Sequence, residues 1–272
     1  FRPTIEPDRR LDERLYISLD RQIYSLNKSD GNLQSLIQTE ERIISFRHIY
    51  EMKFLVKDHS TIRVISFEKN HSMVSNILAC MSKLPSTSNC ALRANDSLGP
   101  TAVDYSNSDE VYLSVDSAIY KISLWNKLPQ KVEPSDQIIG GIFSMTFDKT
   151  FSKLYVILKT QKVGYIDMTN DSLSSFTQLK GKPDQITTAV YVDENAILCQ
   201  TNKNTLILLD PYSGQYSHAH EGLTTLPCSD SGCDKAEKII ALASHSNRNQ
   251  QLYALDREYG LVSLYYNGRW MQ

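Results

Sequence analysis

The stretch Val111-Tyr-Leu-Ser-Val-Asp-Ser-Ala-Ile-Tyr-Lys-Ile122 decides how this chain is read: an apolar strand, a polar turn of a few residues and a second apolar strand. The same phrase returns as Leu15–Leu26, Leu154–Ile166, Ala196–Leu209 and Leu252–Leu264. From Val111 onward the copies begin 43, 42 and 56 residues apart (111, 154, 196, 252). A period near 40–50 residues matches one blade of a β-propeller. A lone strand pair cannot bury its own faces, so such units must stack on one another. The expected fold is therefore all-β, a single β-propeller domain over residues 1–272 with short four-stranded antiparallel blades. Tyr, Ile, Val, Thr and Phe concentrate in these segments, as strands require, and no segment carries a sustained 3.6-residue stripe.

Working outward from the hairpins gives the count. Ile43 to Phe67 forms a second unit around Lys57-Asp-His-Ser60. Val74 to Ala94 forms a shorter third one, Thr101 to Ile122 a fourth, and Ile138 to Met168, Ile186 to Leu209 and Glu237 to Tyr266 the remainder. That makes seven blades if the third unit is a blade, the preferred reading, and six if it is an insertion. Residues 1–13 are charged and proline-bearing, and are expected to form an extended lead-in that completes the last blade. Gly140-Gly141, Thr187-Thr-Ala189 and Ala241-Leu-Ala243 are small enough for innermost strands.

The net charge of −2, from 29 basic and 31 acidic residues, is scattered along the chain and offers no basic stripe for phosphates, so nucleic acid is not an expected partner. No apolar run approaches the length that crosses a bilayer, and no membrane-spanning segment is expected.

Two features point to the secretory pathway. Asn-x-Ser sequons begin at Asn27, Asn70, Asn95 and Asn170, each just past a predicted strand, and mark candidate glycosylation sites. Cys80 with Cys90, and Cys228 with Cys233, are local pairs in turn-rich sequence, the pattern of small disulfide clasps in an oxidising compartment. Cys199, within Ala196-Ile-Leu-Cys-Gln200, reads as a small buried hydrophobe.

Three stretches carry a family resemblance. Arg14-Leu-Tyr-Ile-Ser-Leu-Asp-Arg-Gln-Ile-Tyr-Ser-Leu26 is similar to the opening strand pair of the sema domain shared by semaphorins, plexins and Met-type receptors. Asn76-Ile-Leu-Ala-Cys80, ahead of Cys90-Ala-Leu92, resembles their cysteine-bonded hairpin. Gly99-Pro-Thr-Ala-Val103 leading into Glu110-Val-Tyr-Leu-Ser114 resembles the pair that follows. The resemblance covers roughly residues 14–122 and implies a seven-bladed extracellular ring that binds another protein and pairs with a second copy edge to edge. It also implies a Cys80–Cys90 bond. The tyrosine–aspartate strand pair resembles YWTD and NHL-type propellers as well.

Catalytic motifs are absent: the chain has no G-x-S-x-G, H-E-x-x-H, P-loop or G-x-G-x-x-G. His218-Ala-His220 near Cys228 and Cys233 raises zinc, but a four-residue gap between the cysteines suits a clasp better than a metal knuckle. Asp104, Asp148 and Asp193 at strand ends are the candidates for a calcium-dependent, six-bladed lactonase or esterase, against their ordinary use as turn formers. Tyr253, Tyr259, Tyr265, Tyr266, Arg269 and Trp270 have interface chemistry, or else fill the space between sheets. The expectation is a secreted or cell-surface receptor or ligand module that binds a protein, carries no cofactor or metal and is not an enzyme. The calcium hydrolase is the alternative, and a secreted ligand-sequestering protein shares the same features.

Overall fold

This computed structural model describes residues 4–7, 14–67, 73–85, 89–107, 109–133, 138–181, 183–203, 205–218, 223–226, 239–244, 251–256 and 260–266; for 4–7 and from 218 onward only the backbone is described. The chain divides into two compact units, Phe1–Gly141 and Ile142–Gln272.

The first unit holds three sheets. Sheet 1 is β1 (Thr4–Pro7), β2 (Arg14–Leu19), β3 (Gln22–Asn27) and β4 (Leu33–Gln38). Sheet 2 is β5 (Ser45–Tyr50), β6 (Lys53–Lys57), β7 (Thr61–Phe67), β8 (Met73–Met81) and β9 (Leu92–Ala94). Sheet 3 is β10 (Leu98–Val103), β11 (Glu110–Val115), β12 (Ala118–Ser123) and β13 (Pro129–Lys131). Each is a meander whose neighbours pair antiparallel in chain order, apart from β9, which runs parallel to β8. Strand β5 lies beside both β1 and β10, so the first strands of successive sheets are neighbours.

The second unit repeats the plan. Sheet 4 is β14 (Ile142–Phe147), β15 (Lys153–Leu158) and β16 (Lys162–Asp167), edged by the short β17 (Ser172–Leu173) and β18 (Thr177–Gln178), both paired to β16. Sheet 5 is β19 (Ile186–Asp193), β20 (Ala196–Thr201), β21 (Leu206–Leu209) and β22 (Tyr216–His218). Sheet 6 is built from β23 (Leu223–Leu226), β24 (Ile239–Ser244), β25 (Gln251–Asp256) and β26 (Gly260–Tyr266), in the order β23-β26-β25-β24. Here β19 lies beside β14 and β24.

The expected arithmetic needs correcting. Five sheets are consecutive meanders that begin on their first strand, and the sixth takes its outer strand from in front of its hairpin, so neither seven nor six equivalent blades are formed among the described residues. The supposed third unit is the outer part of sheet 2. Met73–Met81 pairs with β7 along its whole length, from Phe67↔Met73 to Thr61↔Cys80, and β9 adds to it. The lead-in is also placed differently: Thr4–Pro7 pairs with β2, while β23 holds the outer place in sheet 6.

Burial explains why the first strand of each phrase reads as an unbroken apolar run. Strands β11, β15 and β20, each inside its sheet, are buried at almost every position, whereas β13 at the edge is largely exposed. Between sheets 1 and 2 the core is Tyr16, Ile23, Ile37, Phe46, Phe54 and Val56. The Phe54 ring meets Tyr16 edge-on at 4.9 Å, the favoured aromatic geometry. Sheets 2 and 3 bury Ile62, Leu78, Leu113 and Ile122. Sheets 4 and 5 bury Ile157, Val163, Ile197 and Leu209.

Candidate functional site

One turn recurs at the same place in four sheets, the connection from the third strand to the edge strand. It reads Asn27-Lys-Ser-Asp-Gly-Asn32 in sheet 1, Ser123-Leu-Trp-Asn-Lys-Leu128 in sheet 3, Asp167-Met-Thr-Asn-Asp-Ser172 in sheet 4 and Asp210-Pro-Tyr-Ser-Gly-Gln215 in sheet 5. Two side-chain caps close it. The first residue accepts the N–H two places on: Ser29 to Asn27 Oδ1 at 2.9 Å, Trp125 to Ser123 Oγ at 3.3 Å, Thr169 to Asp167 Oδ1 at 2.9 Å and Tyr212 to Asp210 Oδ1 at 2.8 Å. The fourth residue caps the sixth: Asn32 to Asp30, Leu128 to Asn126, Ser172 to Asn170 and Gln215 to Ser213, at 2.9, 3.0, 3.1 and 3.2 Å.

The fifth residue must be left-handed to bring the chain back. Gly31, Lys127, Asp171 and Gly214 have φ of 68°, 55°, 53° and 70°. Short polar side chains such as Asn, Asp, Ser and Thr supply caps at this reach, and Asn, Asp and Ser supply them here. Its third residue, Ser29, Trp125, Thr169 or Tyr212, is exposed in every copy.

Two copies display aromatic rings. Trp125 is 77% exposed and Leu128, three residues on, is 68% exposed. Their turn is held by Lys127 N–H to the Ser123 carbonyl at 2.9 Å, and by the Lys127 ammonium, which donates to Asn76 Oδ1 on β8 at 2.9 Å. A tryptophan this open on a turn this well tied is the opposite of a core residue.

Tyr212 is 41% exposed and caps an aromatic cluster. Its hydroxyl lies 3.1 Å from that of buried Tyr155 and accepts from Lys153 Nζ at 3.1 Å. The ammonium lies 4.9 Å from the Tyr165 ring centre, and Tyr191 stacks on Tyr155 at 5.8 Å. The hydrogen bond to Tyr212 raises the pKa of Lys153 against the opposing effect of burial. Burial, reinforced by the Tyr212 hydroxyl, pushes the Tyr155 phenol far up.

The residues singled out from sequence are used in several ways. Cys80 and Cys90 are bonded, with Cα atoms 6.0 Å apart, and the bond staples β9 and its loop to β8. Cys228, Cys233, His220, Asn70, Tyr259, Arg269 and Trp270 lie outside the described residues, as do the side chains of His218, Tyr253, Tyr265 and Tyr266. Cys199 is a free thiol buried completely between sheets 4 and 5, and burial pushes its pKa up.

Asp104 accepts from Ser106 and Asn107; Asp148 from Thr150, Ser152 and the Lys153 N–H; Asp193 from the Glu194 N–H. Each carboxylate is spent inside its own turn. Among the described residues no group of three or more His, Cys, Asp or Glu is placed to hold a metal ion. No described helix is long and apolar enough to cross a membrane.

Asn95 and Asn170 are exposed and Asn27 is half-buried. The displayed position at 125 and 212 escaped the sequence reading because the four turns share cap chemistry rather than residue identity. Their polar first and fourth positions were the available signal.

No protein-family profile matches this chain, and no curated protein matches it. Among solved structures it is similar to the beta-propeller domain of Cps50 (Swd1) from Myceliophteria thermophila, with a TM-score of 0.60 over 97% of this chain and 82% of that one, at 10% identity. Identity this low speaks for the fold alone. The sheets described above are those of a β-propeller.

Proposed function

We propose that this chain is a secreted or cell-surface recognition module that binds a protein partner through the Trp125 turn and has no catalytic activity of its own. One observation carries the reading: Trp125 and Leu128 stand in solvent on a turn closed by its own hydrogen bonds. Tryptophan is the residue most enriched among binding hot spots, and a turn already rigid loses little conformational freedom when it docks. Propellers commonly serve as rigid scaffolds for such loops. The extracellular setting is supported by the Cys80–Cys90 bond and by the sequons.

The test is a binding screen of the purified chain against a panel of displayed extracellular proteins, run in parallel with Trp125→Ala and Leu128→Ser variants. The expected result is a partner whose binding both substitutions weaken at unchanged thermal stability. Partners that ignore both substitutions would refute the assignment.

A further inference from the structure

The turn that displays Trp125 and Tyr212 in sheets 3 and 5 carries an Asn-x-Ser sequon in its other two copies. In sheet 1 the acceptor is the first residue, Asn27, and in sheet 4 the fourth, Asn170. These two positions differ, but both are capping positions, and the cap produces the same local geometry. The serine of the sequon turns its N–H back on the asparagine: Ser29 donates to Asn27 Oδ1 at 2.9 Å and Ser172 to Asn170 Oδ1 at 3.1 Å. The Ser29 hydroxyl donates to the same oxygen at 2.8 Å. With Oδ1 drawn inward, the amide nitrogen is directed away from the turn. Neither Nδ2 has a hydrogen-bond partner among the described residues.

The sequon at Asn95 is built otherwise. The N–H groups of Asn95, Asp96 and Ser97 all donate to the Asp116 carboxylate, at 2.7, 2.8 and 2.9 Å, so Ser97 does not turn back on its asparagine.

We infer that Asn27 and Asn170, and not Asn95, are N-glycosylated, an inference that rests on the extracellular reading above. In the reaction the asparagine Nδ2 forms a bond to C1 of an oligosaccharide carried on a polyprenyl pyrophosphate, the co-reactant supplied with its transferase in the secretory lumen. The C1–oxygen bond to the pyrophosphate breaks, the lipid pyrophosphate leaves with that electron pair, and Nδ2 gives up one proton. The consequence for recognition is a division of labour among equivalent turns. Those of sheets 1 and 4 carry hydrated glycan and are closed to protein, while those of sheets 3 and 5 stay bare and present aromatic rings.

The chain, secreted from cultured animal cells, is treated with peptide N-glycosidase in ¹⁸O water and its peptides are weighed. The expected result is ¹⁸O-marked aspartate at positions 27 and 170 and unmodified asparagine at 95, with the two marks removed one at a time by Ser29→Ala and Ser172→Ala. Secreted protein with an oxidised Cys80–Cys90 bond that lacks both marks, or is marked at position 95, overturns the inference and leaves the extracellular reading standing. Protein retained in the cytosol with both thiols reduced overturns the two together.

Discussion

The hydroxyl of Ser144 on β14 accepts the backbone N–H of Ala189 on β19 at 3.1 Å, 45 residues further along the chain. Two residues on, Thr146 Oγ1 takes the Tyr191 N–H at the same distance and the same spacing. First strands of neighbouring sheets are thus tied by side chain to backbone, where no strand ladder joins them. Both Ser144 and Ala189 are buried, so Ser144→Ala leaves an N–H without a partner away from water. The expected loss is about 1–3 kcal/mol by urea unfolding. A loss below experimental error would mean that the contact is incidental.

The glycines of the recurrent turn separate conformational strain from crowding. Gly31 and Gly214 have nearly the same φ, but a Cβ on Gly31 meets open space while one on Gly214 overlaps the Gln178 carbonyl oxygen and Thr177. Gly31→Ala should therefore cost about 1–2 kcal/mol, the left-handed penalty alone. Gly214→Ala should cost that and a further ~1–3 kcal/mol for overpacking. Equal losses in denaturant titrations would contradict this account.

Trp125→Ala removes a side chain that buries little, so the unfolding free energy should shift by no more than about 0.5 kcal/mol. Its effect on partner binding should be about 2 kcal/mol or more, read as a change in Kd. The opposite pattern, lost stability with unaltered affinity, would place Trp125 among structural residues.

Reduction of the Cys80–Cys90 bond should destabilise the chain by about 3 kcal/mol, the loop-closure value for residues separated by 10 in sequence. Hydrogen exchange should localise the loosening to β9, whose ladder to β8 is three residue pairs long.

Asp116 predicts how stability responds to acid. Burial pushes its pKa up, but backbone N–H groups of Ser97, Asn95 and Asp96 more than offset this, and the carboxyl sits below its ordinary 3.8. A folded pKa below the unfolded one means that its contribution is complete above the unfolded value and is lost as pH falls through the folded value. Asp116→Asn should therefore flatten the acid limb of stability below about pH 4 and leave the slope near neutrality unchanged.

The strand phrases were legible because a strand covered on both faces must be apolar throughout and a turn of a few residues must be polar; Val111–Ile122 needs nothing beyond that to be read. The Cys80–Cys90 pair was equally plain, being local. What the chain could not announce is how its phrases group. Met73–Met81 has the composition of a blade of its own, and only its register against β7 makes it the edge of sheet 2. Thr4–Pro7 is charged and proline-flanked, yet its pairing with β2 is set by which strand it meets in space. The display of Trp125 belongs to the same class. An aromatic residue in sequence is most economically read as core, and its exposure follows from a turn whose caps act through side-chain oxygen positions rather than residue names. Local propensity, being a matter of neighbours along the chain, was thus determined by the amino acids alone. Partner choice between distant strands was decided by tertiary structure, because it depends on which of several compatible surfaces comes within reach.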